Sequence, residues 1–194
     1  MRTERRNPKA KIFIISAPSG AGKTTLCNRL FEDGIGLANS VSMTTRPPRP
    51  GEREGVDYHF VTRKRFESMA RAGGFLEYEE NFGNLYGTPR KFVEENMKKG
   101  RGVLLSVDVK GAMKVRNIFR RNSVLIFLLP PSMRELKKRL HMRKSDDTEA
   151  VRRRFALAKK EISYRNRYDY RIVNDKLDSS YKKLKRVIEK EAEG

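Results

Sequence analysis

The sequence predicts an α/β fold in three layers, a parallel core sheet covered by helices on both faces. Three observations predict it. Short apolar, β-branched runs at residues 11–16, 103–108 and 123–129 read as strands buried on both sides, as a parallel sheet requires. Stretches of helical periodicity alternate with these runs. The first run passes directly into a glycine-rich loop and then a helix, in the stretch KIFIISAPSGAGKTT. The chain has 194 residues, the length of one domain. It shows no internal repeat.

The elements follow in order. Residues 1–10 are charged and are expected to form a flexible basic tail, with an RNA-binding arm as the sharper alternative. Residues 11–16 are the first strand. Residues 23–31 form a helix with Leu26, Leu30 and Phe31 on one face. Residues 37–90 form an insertion whose texture differs from residue 39 on. Strand-like pieces at 40–43, 58–62 and 75–80 alternate there with turns and one helical stretch at 64–72, the pattern of a small second sheet. Thr88 and Pro89 open the next helix as N-cap and first helical residue, and Gly100 stops it. A strand over 103–108 ends in the polar tip Asp108, and a helix covers 110–119. The strand at 123–129 is stopped by Pro130 and Pro131. Ser132 and Glu135 form a capping box for the next helix. A further helix starts at 146–148, with its periodicity over 149–164. A short strand at 171–173 and a helix at 178–190 close the chain.

The segment Ala17-Pro18-Ser19-Gly20-Ala21-Gly22-Lys23-Thr24 follows the pattern G-x-x-x-x-G-K-[ST] except at its first position, where Ala17 replaces glycine. Strand before and helix after complete the context, which is that of a P-loop NTPase. Backbone N–H groups of such a loop point inward and bind phosphate oxygens. Gly20 and Gly22 permit close approach and positive φ. Lys23 neutralises the transferring phosphates, and the Thr24 hydroxyl is a ligand for Mg²⁺. Thr25 and Cys27 read as helix packing or capping.

The segment Arg46-Pro47-Pro48-Arg49 favours an extended polyproline II path, with 3 residues per turn and a rise of about 3.1 Å. Arg46 and Arg49 then emerge on one side, roughly 9 Å apart. Two guanidinium forks on a rigid strap suit a phosphate monoester. By itself the segment also fits a solvated loop or an SH3-type ligand.

With these residues the chain resembles the guanylate kinase family over about residues 11–190. The marks are APSGAGKTT, SMTTRPPRPGE, Gly55 to Phe60 (GVDYHF), FLEY, GNLYGT, VDVKG, LPPS and IVND, in the family's order. The resemblance implies phosphorylation of GMP to GDP by MgATP, in purine nucleotide metabolism. It implies that Arg46, Arg49, Tyr58 and Tyr86 hold the GMP phosphate. Ser42, Glu77, Thr88 and Asp108 would read guanine. Carboxylates suit its N1–H and amine donors, and hydroxyls suit O6. From the residues alone, the tyrosines fit ordinary core packing and Glu77 fits a surface acid. ATP would be held by the loop from Ala17 to Thr25 and by Asn174 near the adenine; Asn174 also fits a turn cap. Lid arginines would close over the phosphates from a segment at about 137–157. The matching positions are Arg139, Arg143 and Arg154, with Arg152, Arg153, Arg165 and Arg167 competing. Ser106 stands where the family carries a carboxylate that holds the magnesium hydration shell. Along a strand, Ser106 and Asp108 would share a face.

Composition narrows the remaining classes. The 44 Lys and Arg residues against 24 acids give +20, which favours polyanionic partners. No RNA-module motif with stacked aromatics accompanies that charge. A catalytically dead interaction module is the other alternative, and the intact Gly22-Lys23-Thr24 argues against it. One cysteine excludes a disulfide framework, and two histidines disfavour a multi-His metal site. Ile12 to Ile15 is too short for a signal h-region, and the run at 124–129 is too short for a membrane span. The expectation is a cytoplasmic protein whose partners are ATP and GMP, with no specific nucleic acid and no membrane.

Overall fold

A computed structural model describes residues 10–141 and 148–193. The element order is β1 (Ile12–Ser16), α1 (Lys23–Glu32), β2 (Ala38–Asn39), β3 (Met43–Thr44), β4 (His59–Phe60), α2 (Arg63–Arg71), β5 (Phe75–Asn81), β6 (Asn84–Pro89), α3 (Arg90–Lys98), β7 (Val103–Ser106), α4 (Val109–Phe119), β8 (Ser123–Leu129), α5 (Met133–His141), α6 (Thr148–Ser163), β9 (Tyr170–Val173) and α7 (Leu177–Glu193). The core sheet has the order β2-β7-β1-β8-β9, and every pairing in it is parallel.

Alternation along β1 divides the core. Phe13 and Ile15 pack with Leu26 and Leu30 of α1 and Tyr181, Leu184 and Ile188 of α7. Ile12 and Ile14 pack on the opposite face with Val93 of α3 and Ala112 and Val115 of α4. Every residue of β1 is buried. These are the predicted three layers.

A second sheet has the order β4-β3-β6-β5. Its small core is Phe66, Phe75 and Leu85, with the Phe66 and Phe75 rings stacked at 4.4 Å. A third cluster joins α5 and α6 through Leu136, Leu140, Val151 and Ala158. The tail expected at 1–10 lies outside the described residues except for Ala10, and so does Arg143.

Three local expectations are corrected. The strand expected at 40–43 is two strands in two sheets. Ala38 and Asn39 pair with β7, whereas Met43 and Thr44 pair with β4 and β6, so residues 40–42 are the crossing between sheets. Thr88 does not cap α3. It is still in β6, and its hydroxyl donates to Glu77 at 2.5 Å, so Pro89 takes the N-cap position without a side-chain bond. The strand expected to reach Asp108 ends at Ser106, and Asp108 is the N-cap of α4, accepting from the Gly111 N–H at 2.8 Å. A capping carboxylate satisfies an orphan N–H of the helix, which favours turning there over extending the strand. The capping box is half made: Ser132 Oγ accepts from the Glu135 N–H, while the Glu135 carboxylate pairs with Arg139.

Candidate active site

The loop between β1 and α1 lies at the carboxyl end of the core sheet, where ligands bind in such folds. Gly20 and Gly22 take φ of 88° and 87°. Ala17 needs no such conformation, since among the described residues positive φ outside glycine occurs only at Phe82 and Arg120. That explains why alanine can replace the first glycine. Ala17, Pro18 and Ala21 are buried, Ser19 is half-buried, and the Ala21 N–H donates to the Pro18 carbonyl at 3.1 Å. Asn174, just beyond β9, clamps the loop: its Nδ2 donates to the Ala21 carbonyl at 2.7 Å. A Cβ on Gly22 would collide with that amide. Asn174 therefore supports the loop, a role for which its predicted place near a base gave no hint.

Lys23 donates from Nζ to the Val107 carbonyl at 3.1 Å, spanning the gap between the loop and the end of β7. Burial pulls its ammonium below the usual lysine range, while Cys27, Asp108, Glu161 and Glu77 act to hold it charged. Thr24 and Thr25 are exposed in the first turn of α1. A hydroxyl in the first turn after a phosphate loop is a suitable oxygen ligand for a phosphate-bound Mg²⁺, and Thr24 supplies one. Such a cation uses a hydroxyl, substrate phosphates and waters and needs no cage of side-chain acids, and the described residues hold no cluster of three acidic, His or Cys ligands. The donor set fits Mg²⁺ in that mode. Ser106 closes β7 beside the buried Cys27 thiol. Asp108 meets Gly111 and Asn81 instead, so the two do not act as a strand-face pair. Burial pushes the Cys27 thiol up to about 11.

The second sheet gathers the other predicted residues. A bulge between Phe75 and Glu77 in the β5–β6 ladder sends Phe75 into the small core and Leu76 into the main one. Glu77 follows them inward and is 7% exposed. The Thr88 hydroxyl donates to its Oε1. Its other oxygen lies so close to α4 that a Cβ on Gly111 would come within 2.5 Å. Burial pushes Glu77 up to about 7; the Thr88 bond opposes this and the Asp108 charge adds to it. Asp108 accepts from Asn81 Nδ2 at 3.0 Å. Tyr58 and Tyr86 meet edge to face at 6.0 Å, and the Arg46 guanidinium lies 5.5 Å from the Tyr58 ring centre. Ser42 is half-buried beside them, its carbonyl accepting from the His59 N–H. Thr44 lies beneath, its hydroxyl bonding the Leu85 carbonyl.

Arg46 and Arg49 are joined by Glu52, which sequence reasoning did not single out. Arg46 Nη2 donates to both Glu52 oxygens at 2.7 and 2.9 Å, and the Arg49 N–H donates to one of them at 2.8 Å. The Arg49 side chain is exposed. Arg139 approaches the loop side, its Nη1 lying 3.5 Å from the Asn174 carbonyl. Arg154 instead lies over Phe82, at 5.7 Å. Three further polar residues lie behind the loop: Ser16, Glu161 and Tyr168. Ser16 Oγ donates to the Asp108 carbonyl, and among the described residues the buried Tyr168 hydroxyl has no partner of good geometry. Burial pushes Glu161 up to about 7, with Lys23 opposing. Glu161 occupies the buried phase of α6 with Val151 and Ala158, a signal open to sequence reading as an acid on an apolar stripe.

A parallel sheet, a phosphate loop clamped at the carboxyl end of β1 and a lysine spanning to β7 define a P-loop nucleotide-binding enzyme fold. The chain belongs to the guanylate kinase family, whose model matches residues 9–191. A guanylate kinase of Wolbachia pipientis wMel is 49% identical over 93% of this chain and 90% of its own length. One from Nitrosospira multiformis is 49% identical over 93% of this chain and 85% of its own. The crystal structure of guanylate kinase from Anaplasma phagocytophilum superposes with a TM-score of 0.80 at 37% identity, covering 95% of this chain and 87% of that one. Among the described residues no helix is long and apolar enough to cross a membrane.

Proposed function

We propose that this chain transfers the γ-phosphoryl group of MgATP directly to the 5′-phosphate of GMP, giving ADP and GDP, as a step of purine nucleotide metabolism. The observation that carries the reading is Glu77. It is a buried acid for which, among the described residues, the Thr88 hydroxyl is the only hydrogen-bond donor and no cation forms an ion pair. Guanine would supply the missing donors through N1–H and its amine, with Asp108 as second acceptor and Ser42 beside them. The phosphate of GMP would fall to Arg46, Arg49, Tyr58 and Tyr86. ATP would lie on the loop from Ala17 to Thr25, beside Asn174.

Catalysis in this reading is positioning and charge stabilisation, with no covalent intermediate. Lys23, already extended between loop and sheet, would move from the Val107 carbonyl onto the transferring phosphates. Arg139, Arg143 and Arg154 would supply further positive charge from the lid at about 137–157, while residues 37–90 form the GMP-binding part. The Thr24 hydroxyl would hold Mg²⁺, which when bound would supply neutralisation of phosphate charge. Lid closure would exclude water and suppress ATP hydrolysis. The test is ADP formation by the purified chain with ATP, Mg²⁺ and each monophosphate. ADP should appear with GMP or dGMP and not with AMP, a site of buried hydrogen bonds discriminating by about 10⁴–10⁵. Comparable turnover of AMP would sink the assignment.

A further inference from the structure

The hairpin joining β5 to β6 turns through two residues, Phe82 and Gly83, between the paired Asn81 and Asn84. Both central residues have positive φ, 52° and 77°. Turns of this kind call for Asn, Asp or Gly at the first central position, since a side chain there meets the backbone. Phenylalanine is a poor choice for folding. It is a poor choice for solubility as well, because the ring is 55% exposed. A residue that violates the local rule without a packing gain marks a place where something other than folding sets the side chain.

The ring has one notable neighbour. The guanidinium of Arg154, on α6, lies 5.7 Å from its centre, within the range of a cation–π contact. The two residues belong to different parts of the molecule. Phe82 caps the second sheet, and Arg154 projects from the helix that shares its own small core with α5. The residue before Phe82 is Asn81, whose amide bonds Asp108 at 3.0 Å. A short path thus runs from Asp108 through Asn81 and the tip of the hairpin to an arginine on α6.

We propose that Phe82 is a positioning residue, its exposed ring at the hairpin tip orienting the Arg154 guanidinium and so tying α6 to the second sheet. This rests on the reading of Arg154 as an arginine that acts on the phosphates. The ring supplies an electron-rich face that orients the guanidinium. The ring itself is none of the groups assigned to GMP, which are Ser42, Glu77, Thr88 and Asp108 for the base and the strap with Tyr58 and Tyr86 for the phosphate, so its loss affects the reacting complex more than the binding of GMP.

The test uses the full chain and five variants. Phe82→Asn installs the residue that the turn prefers and removes the ring. The expected result is a higher Tm together with a kcat lowered about two- to fivefold, the factor that an exposed cation–π contact corresponds to, at unchanged KM for GMP. Phe82→Leu keeps apolar bulk without the π face and should lower kcat equally, while Phe82→Tyr should retain it. In an Arg154→Gln background, Phe82→Asn should change kcat no further. A purely structural tip would give a lower Tm with Phe82→Asn and no rescue by tyrosine, and that pattern overturns the proposal. So does wild-type kcat in Phe82→Asn or Phe82→Leu, or a full additional loss in the Arg154→Gln background. If the unmodified chain forms no ADP in the presence of GMP, the functional reading falls and the positioning role with it. If that activity is present and Phe82→Asn is silent, only the positioning role falls.

Discussion

Burial holds Glu77 up to about 7, against an ordinary value of 4.5, with the Thr88 bond and the Lys114 charge too weak to bring it down. The consequence for guanine recognition has a definite sign. Only the ionised carboxylate accepts from both N1–H and the amine, so affinity for GMP should fall as the pH drops through about 7. The second ionisation of a phosphate monoester, near 6, gives a change in the same direction. Glu77→Gln separates the two. The wild-type KM for GMP should rise between pH 8 and 6 more steeply than that of the variant, which keeps only the phosphate part. Parallel profiles would mean that Glu77 does not touch the base. Lys23 gives a second outcome at this scale. Its burial and its bond to the Val107 carbonyl hold it extended across the loop. Lys23→Ala should leave the circular dichroism spectrum intact and lower kcat well beyond tenfold, with a smaller effect on GMP binding. A kcat within about tenfold, roughly 1.4 kcal/mol of barrier, would remove the lysine from the mechanism.

Among the elements, the strap from Arg46 to Glu52 behaves as one unit because a single carboxylate fixes a side chain and a backbone N–H at once. Glu52→Gln keeps the shape and weakens both bonds, so the KM for GMP should rise while that for ATP stays constant. Arg49→Lys should also raise the KM for GMP, because a point charge replaces a planar fork. Wild-type KM values in both variants would show the strap to be a solvated loop. The arginines and prolines of this strap are legible in the sequence by residue type and spacing. Its anchor is not, because Glu52 acts through a tertiary contact that no periodicity records. The same division holds elsewhere. The strands of the core sheet and the loop from Ala17 to Thr24 announce themselves by composition and local order. The bulge that turns Glu77 inward, the amide of Asn174 on the loop and the capping role of Asp108 depend on neighbours distant in sequence. Residues 40–42 were read as strand because their alternation suits one; only the competition between two sheets makes them a crossing.

Across the whole molecule the dominant feature is the +20 charge. Such an excess disfavours the compact state through self-repulsion and attracts anions. The ion pairs offset little of it. Most have a partner well exposed, such as Arg63 with Glu67 and Lys91 with Glu95, and pairs of that kind contribute about 0–1 kcal/mol. Added salt screens repulsion and attraction together, and the Debye length falls to about 10 Å at 0.1 M. Repulsion summed over 20 uncompensated charges should outweigh the few exposed pairs. The Tm should therefore rise by a few degrees between low salt and ~0.3 M sodium chloride, roughly 2–4 °C for each kcal/mol in a chain of this length. Chloride is the right anion for the titration. Sulfate would occupy the loop at Ala17 to Thr24 and raise the Tm as a ligand. Activity should move the other way. ATP and GMP are anions, and a net charge of this sign attracts them, so screening should raise the KM for both as the protein becomes more stable. A Tm that falls with chloride would mean that attractive pairs, Arg46 with Glu52 foremost, outweigh the net charge. A KM indifferent to salt would mean that the excess charge lies away from the cleft and serves some partner other than the substrates.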